Sequence, residues 1–220
     1  MTGTLEDIAV TAFNHHSRRQ RGRWEAVAHG NPPPPVIDTW VLDEVASHRT
    51  AWASAFARRL MAAGTDRRVL ATVLLIAVAL AVARRTRRTA VAAVAAAVLA
   101  VVVAETIKPA IDRPRPPSAL ALVQAAGPSM PSTDAALTAA VAAVLVAAAL
   151  GSRLRGGALV LVIGVVVGGA AAVGAALVYL GAHWPTDVVA GWALGGIVGV
   201  ASAAASRRTR GISPRPFAGR

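Results

Sequence analysis

The sequence predicts an all-α integral membrane protein, with about five transmembrane helices in a bundle behind an amphipathic interfacial region. Of its 220 residues 55% are hydrophobic and 15% charged, and the mean hydropathy is +0.54. A soluble domain does not bury so much apolar surface. About 20 apolar residues cross a hydrocarbon core. Five apolar runs approach or reach that length, at 69–83, 89–107, 135–151, 157–180 and 188–206.

The chain divides into three parts by composition. Residues 1–66 form a polar tail followed by interfacial helices, because 36–62 is too charged to cross a bilayer yet repeats its apolar residues at helical spacing. Residues 67–206 form the transmembrane core, and 207–220 form a basic tail. The helical repeat in the interfacial part consists of Val41, Val45, Trp52, Phe56 and Leu60.

Charge and residue usage argue against several classes of function. The net charge is +12, but the arginines stand in short blocks between apolar runs, so no nucleic-acid partner is predicted. The absence of cysteine excludes disulfide and thiolate chemistry, and no cluster has metal-ligand spacing, so we expect neither a metal nor a cofactor. No apolar run carries a charge near its middle, which disfavours a transporter or a channel.

The connecting segments alternate between the two sides of the membrane. Segments 84–88 and 152–155 and the C-terminal tail share one side and carry eleven arginines, whereas 108–134 and 181–187 lie on the other. The positive-inside rule makes the arginine-rich side cytoplasmic. We therefore expect a protein of the plasma membrane with segments 108–134 and 181–187 on the outer face.

Three polar stretches occur at span boundaries on that outer side. The first, "KPAIDRPRP", carries Lys108, Arg113 and Arg115, and the planar arginine fork matches phosphate oxygens. A basic loop that meets anionic headgroups is the alternative. In the second, "PSTDAA", Ser132 and Asp134 begin a helix, where they either cap it or surround free N–H groups that bind phosphate.

The third stretch, "HWPTD", places His183 four residues before Asp187. A carboxylate that accepts one imidazole N–H leaves the other ring nitrogen available as a nucleophile. The alternative is an interfacial histidine beside Trp184 in an aromatic belt. Spans that are separate in sequence can be neighbours in space, so we expect the three stretches to meet in one pocket at the membrane surface.

The order of these motifs resembles the type 2 phosphatidic acid phosphatase (PAP2) superfamily of membrane lipid phosphatases. The resemblance covers about residues 60–206. It rests on a Lys-x6-Arg-Pro motif, a Pro-Ser-x-x motif and a His-x3-Asp motif, found here as Lys108, Arg115 and Pro116, then Pro131, Ser132, Thr133 and Asp134, then His183 and Asp187.

The resemblance implies a role for each matching residue. Lys108 and Arg115 bind the phosphate, with help from Ser132 and the Thr133 amide. His183 attacks phosphorus and forms a phosphohistidine, which water hydrolyses, and Asp187 orients the ring. The family needs no metal.

Two positions depart from the family pattern. Asp134 stands where the family has its general-acid histidine, and a carboxylic acid with a raised pKa can also protonate a leaving group. Leu177, preceded by Ala176, replaces a phosphate-binding arginine of the third motif. Arg113 is the candidate substitute for that arginine.

These observations predict a phosphatase that hydrolyses a lipid phosphate or pyrophosphate of polyprenyl or phosphatidyl type. A second interpretation, motivated by Asp134 and Leu177, is a non-catalytic relative that binds phosphorylated lipid or a membrane partner. A transporter is the third and the least favoured.

Overall fold

All regular secondary structure in the described part of the protein is α-helical. The computed structural model describes residues 34–65 and 87–208. Six helices follow one another in this part: α1 Val36–Ser47, α2 Ala51–Thr65, α3 Arg87–Ile111, α4 Thr133–Leu150, α5 Gly156–Tyr179 and α6 Pro185–Arg208. The all-α prediction is therefore confirmed for the described residues.

Helices α3 to α6 are each long and apolar enough to cross a membrane. The shortest, α4, has 18 residues, and the spans in the other three have 24. At 1.5 Å per residue these lengths are about 27 and 36 Å, against a hydrocarbon core of about 30 Å. The apolar run predicted at 69–83 lies outside the described residues. The protein is thus an integral membrane protein, and the described part contains four of the roughly five predicted spans.

Small residues bring α4 and α6 into close contact. A Cβ on Gly195 would overlap the Ala136 carbonyl oxygen, and a Cβ on Gly199 would overlap the Ala140 carbonyl oxygen. Because only glycine permits this approach, its recurrence every fourth residue fixes how the two backbones pack. Gly191, one turn earlier, brings the start of α6 against the Ser132 carbonyl oxygen at the start of α4.

Helices α3 and α5 also pack against α4. An alanine stripe on α3 enters the core shared by α3, α4 and α6, and its members are Ala92, Ala96, Ala100 and Ala104. Helix α5 is more exposed, with large apolar side chains such as Val160 and Val165 on its surface. The arrangement brings the C-terminal ends of α3 and α5 to the N-terminal ends of α4 and α6. We call this the polar end of the bundle.

The two N-terminal helices pack against the polar end. In α1, Leu42 is buried against Trp184, and in α2, Ala57 is buried with Ala176 and Leu180. Arg49, between the two helices, donates hydrogen bonds to the carbonyl oxygens of Tyr179 (2.9 Å) and Leu120 (2.7 Å). The Tyr179 contact satisfies a free carbonyl at the C-terminus of α5, so the N-terminal region is attached to the core by specific contacts.

Candidate active site

A tight turn at the polar end places His183 between α5 and α6. Gly181 has a φ of +70°, a left-handed conformation that glycine adopts without strain. A Cβ there would also lie 2.8 Å from the Leu120 carbonyl oxygen. Pro185 then begins α6, which suits its fixed φ and missing N–H. His183 lies inside this turn and is 4% exposed.

Both ring nitrogens of His183 face charged groups. Arg115 Nη1 lies 3.2 Å from Nε2, and Asp187 Oδ2 lies 3.6 Å from Nδ1. Because arginine can only donate, Nε2 is the acceptor and the ring proton is assigned to Nδ1, on the side of Asp187. The 3.6 Å separation is too long for a hydrogen bond, and Nδ1 is buried without a hydrogen-bond partner among the described residues.

Asp187 is fully buried and held by two other donors. Its Oδ2 accepts the backbone N–H of Trp184 at 2.9 Å, so a side chain in the first turn of α6 reaches back to the residue that precedes the helix. Its Oδ1 accepts Arg113 Nη1 at 2.6 Å. The carboxylate is thus both a helix cap and the nearest acidic neighbour of the His183 ring.

Arg113 joins Asp187 to a second buried carboxylate, Asp38 of α1. Its Nη2 donates to Asp38 Oδ2 at 2.5 Å, and its Nη1 also donates to the Thr186 hydroxyl at 2.6 Å. The side chain is 13% exposed. The sequence predicts Arg113 as a phosphate ligand, and in the structure its guanidinium is hydrogen-bonded to Asp187, Asp38 and Thr186.

Arg115 is held beside His183 by two backbone carbonyl oxygens. Its Nε donates to the Gly127 carbonyl oxygen (3.0 Å) and its Nη1 to the Ala182 carbonyl oxygen (2.7 Å). Burial lowers the pKa of the Arg115 guanidinium, and the carboxylates of Asp187, Asp134 and Glu105 oppose that shift. Arginine nevertheless stays charged in proteins. A bound anion would stabilise this partly desolvated cation beside His183.

Lys108 is 7% exposed and forms an ion pair within its own helix. Its Nζ lies 2.7 Å from Glu105 Oε1, which also accepts the hydroxyl of Thr133 at 2.5 Å. The Glu105 side chain itself is 54% exposed. A phosphate that binds Lys108 therefore has to share or displace an existing carboxylate. Glu105 is not among the predicted site residues, although its spacing of three residues from Lys108 is a recognisable helical ion-pair signal.

The start of α4 supplies the second predicted motif. Ser132 is fully buried, caps the helix by accepting the Ala135 N–H at 3.4 Å, and donates its own N–H to the Asp187 carbonyl oxygen at 3.0 Å. Asp134 is partly exposed and its charge acts on Arg115. Within residues 34–65 and 87–208 its carboxylate makes no hydrogen bond, so it is available to a ligand.

Leu177 lies in an apolar environment. It is 1% exposed and packs with Ala135, Ala182 and Val188. Ala176 is buried on the α2 side of the same helix. Neither residue brings a polar group to the site, so Leu177→Arg would place a charge in a packed apolar cluster.

The structure thus brings the three predicted stretches together. His183 contacts Arg115, Ser132 hydrogen-bonds to Asp187, and Glu105 links Lys108 to Thr133. Asp38 is not among the predicted site residues, because an acidic residue in an amphipathic helix is normally solvent-exposed. Its partners, Arg113 and Thr186, are 75 and 148 residues away in the sequence.

These features define a helical integral membrane protein that gathers a histidine, acidic residues and cationic side chains at one end of its bundle. The chain belongs to the PAP2 superfamily, whose family model matches residues 89–210. Among curated proteins, none is significantly similar in sequence.

Two solved structures have the same fold. A transmembrane PAP2-type phosphatidylglycerolphosphate phosphatase from Bacillus subtilis aligns with a TM-score of 0.68 and 20% identity, covering 82% of this chain and 87% of the other. Aquifex aeolicus LpxE aligns with a TM-score of 0.61 and 22% identity, covering 75% of this chain and 93% of the other. Both alignments support the helical membrane fold.

Proposed function

We propose that this protein is a membrane phosphatase that hydrolyses a lipid phosphate or pyrophosphate through a phosphohistidine intermediate. The observation that carries the proposal is the position of His183. Its Nε2 faces Arg115 and its Nδ1 faces Asp187. A histidine oriented in this way presents its Nε2 lone pair toward the group that attracts the phosphate.

The first step transfers the phosphoryl group to the protein. Arg115 shifts its hydrogen bonds from Nε2 to the phosphate oxygens, and Nε2 attacks phosphorus as the P–O bond to the lipid breaks. The electron pair of that bond leaves on the lipid oxygen, which takes a proton from Asp134. Asp187 stabilises the positive charge that develops on the ring.

The second step returns the phosphoryl group to water. The Asp134 carboxylate accepts a proton from a water molecule whose oxygen attacks phosphorus. The P–N bond breaks, its electron pair returns to Nε2, and inorganic phosphate leaves. Lys108 and the start of α4, with Ser132 and Thr133, hold the phosphate oxygens throughout, because helix N-terminal amides and an ammonium both favour negative charge.

The position of the site at the ends of the spans supports a lipid substrate. The polar end is formed by the ends of four membrane-crossing helices, so a phosphate there is at headgroup height with its apolar chain in the bilayer. A polyprenyl or phosphatidyl phosphate meets this geometry. The Bacillus subtilis protein of the same fold is a phosphatidylglycerolphosphate phosphatase, which agrees with a phosphatidyl substrate.

The proposal is tested by the release of inorganic phosphate from a panel of lipid phosphates by the purified protein in detergent. EDTA is included because the proposed reaction uses no metal. We expect release from at least one lipid phosphate or pyrophosphate. No release from any of them, combined with binding of the same lipids, would instead support the non-catalytic alternative, which the buried Leu177 and the Lys108–Glu105 pair favour.

The role of Asp134 is tested by the choice of leaving group. We expect Asp134→Asn to slow hydrolysis of an alkyl phosphate by about 10²–10⁴-fold, because the leaving alkoxide needs a proton. Hydrolysis of p-nitrophenyl phosphate should slow far less, since nitrophenolate leaves without one. The measurement is kcat for both substrates, and equal losses for both would exclude Asp134 as the general acid.

The orientation of the polar end is tested by labelling, since the chain has no cysteine of its own. Single cysteines at Ala119 and Ala125, both exposed at the polar end, should react with an impermeant thiol reagent in intact cells. A cysteine at the exposed Arg153, between α4 and α5, should react only after the membrane is permeabilised. Labelling of Arg153→Cys alone in intact cells would place the site on the cytoplasmic face.

A further inference from the structure

We propose that Asp38, on a helix outside the segment matched by the family model, is a positioning residue for the His183–Asp187 pair. The matched segment begins at residue 89, whereas Asp38 is in the first turn of α1. This inference rests on the proposed function, because it assigns Asp38 to the same site.

Asp38 caps α6 from another helix. It is fully buried and accepts both the backbone N–H of Thr186, at 2.9 Å, and the Thr186 hydroxyl, at 2.6 Å. The N–H groups in the first turn of a helix have no partner within that helix, and a negative charge there is favourable. Asp38 therefore holds the turn of α6 that carries Asp187 and directly follows His183.

Asp38 also holds Arg113 in its bridging position. The planar guanidinium donates through Nη2 to Asp38 and through Nη1 to Asp187, so its two ends are fixed by two buried carboxylates. The Cζ atom of Arg113 lies 5.8 Å from the centre of the Trp184 ring. Leu42 of α1 packs against the same tryptophan. A lysine at this position would not bridge the two carboxylates in the same way, because its ammonium group lacks the planar fork of donors.

Because Asp38 is buried, we expect its substitution to affect the catalytic step and not the binding of substrate. It touches the site through Arg113 and Thr186, and its own side chain has no exposed surface. Without the charge of Asp38, Arg113 keeps only its Nη1 hydrogen bonds to Asp187 and Thr186, and the Nη2 end of the guanidinium is no longer fixed. We therefore expect Asp187 to shift relative to His183 Nδ1. A misplacement of about 1 Å costs about 10²-fold in rate. We expect kcat to fall while KM stays near its wild-type value.

Two substitutions distinguish positioning from simple helix capping. Asp38→Asn keeps an oxygen for the Thr186 N–H but loses the charge that pairs with Arg113, whereas Asp38→Ala loses both. We expect kcat to fall about 10- to 100-fold in each, with KM within about twofold, and Asp38→Asn to keep nearly the wild-type Tm. Glu44→Gln, an exposed acidic position on the same helix, is the control and should leave kcat, KM and Tm unchanged.

A readout independent of turnover is the ¹⁵N NMR signature of the His183 ring in detergent, assigned among the five histidines with His183→Gln. We expect a protonated Nδ1 and an unprotonated Nε2 in the wild type, and a changed signature in Asp38→Asn. If the wild type hydrolyses no lipid phosphate, the proposed function fails but this comparison still decides the role of Asp38. An unchanged ring signature in folded Asp38→Asn, or a kcat loss confined to Asp38→Ala and matched by a lower Tm, would overturn the positioning role.

Discussion

His183→Ala is expected to lose essentially all phosphatase activity, by about 10⁴-fold or more, because it removes the atom that bonds to phosphorus. The side chain is 4% exposed and packs in the turn before α6, so its shortening leaves the helix ends in place. The measurement is phosphate release from the best lipid substrate by protein extracted and purified in parallel with the wild type.

His48→Ala is the matched control. His48 is exposed at the end of α1, and its ring makes polar contacts with Glu44 and Ser47. It should keep wild-type activity. Substantial turnover by a folded His183→Ala protein would exclude His183 as the nucleophile and leave it as an interfacial histidine.

Arg115→Ala is expected to lower kcat/KM by about 10²–10³-fold, equivalent to about 2.7–4 kcal/mol, as when one charged or polar contact to a transition state is removed. The physical reason is its placement: the guanidinium is partly desolvated, fixed by two carbonyl oxygens, and 3.2 Å from the His183 Nε2. Arg115→Lys should lose less, because it keeps the charge but not the planar fork.

The control for Arg115 is Arg59→Ala. Arg59 is exposed on α2, and its removal changes the net charge of the protein by the same amount. A similar loss in both variants would show that the effect comes from the general positive potential of the surface. Loss confined to Arg115 would show a specific phosphate contact.

The fold was predictable to the extent that each span is encoded locally. Runs of apolar residues of membrane-crossing length predict α3 to α6 directly, and their glycine and alanine content predicts close packing. Gly191, Gly195 and Gly199 recur every fourth residue, so they lie on one face of α6, where α4 approaches. The remaining predicted span, at 69–83, lies outside the described residues.

The candidate site was predictable where a residue lies at the end of a span. Alternation of the connecting segments put Lys108, Ser132 and His183 on one side, and the structure brings their segments together at the polar end. The ion pairs of Arg113 were not predictable, because a basic residue in a motif gives no information about its partner. That partner, Asp38, is 75 residues away, on a helix whose own sequence indicates an interfacial element.

Glu105 shows a further limit of the sequence. Its contact with Lys108 is local, but its second contact, with the Thr133 hydroxyl, depends on how α3 meets α4. Only the structure shows that the Glu105 carboxylate is already paired with Lys108, the lysine predicted to bind phosphate.

Trapping of the covalent intermediate tests the central claim most directly. The wild type is mixed with a ³²P-labelled lipid phosphate that it hydrolyses, quenched within one turnover, and the protein-bound label is mapped by proteolysis. A phosphohistidine is stable in base and labile in acid, so we predict base-stable, acid-labile label on the peptide that contains His183, and no label on His183→Ala. Acid-stable label, or label that persists on His183→Ala, would contradict the mechanism.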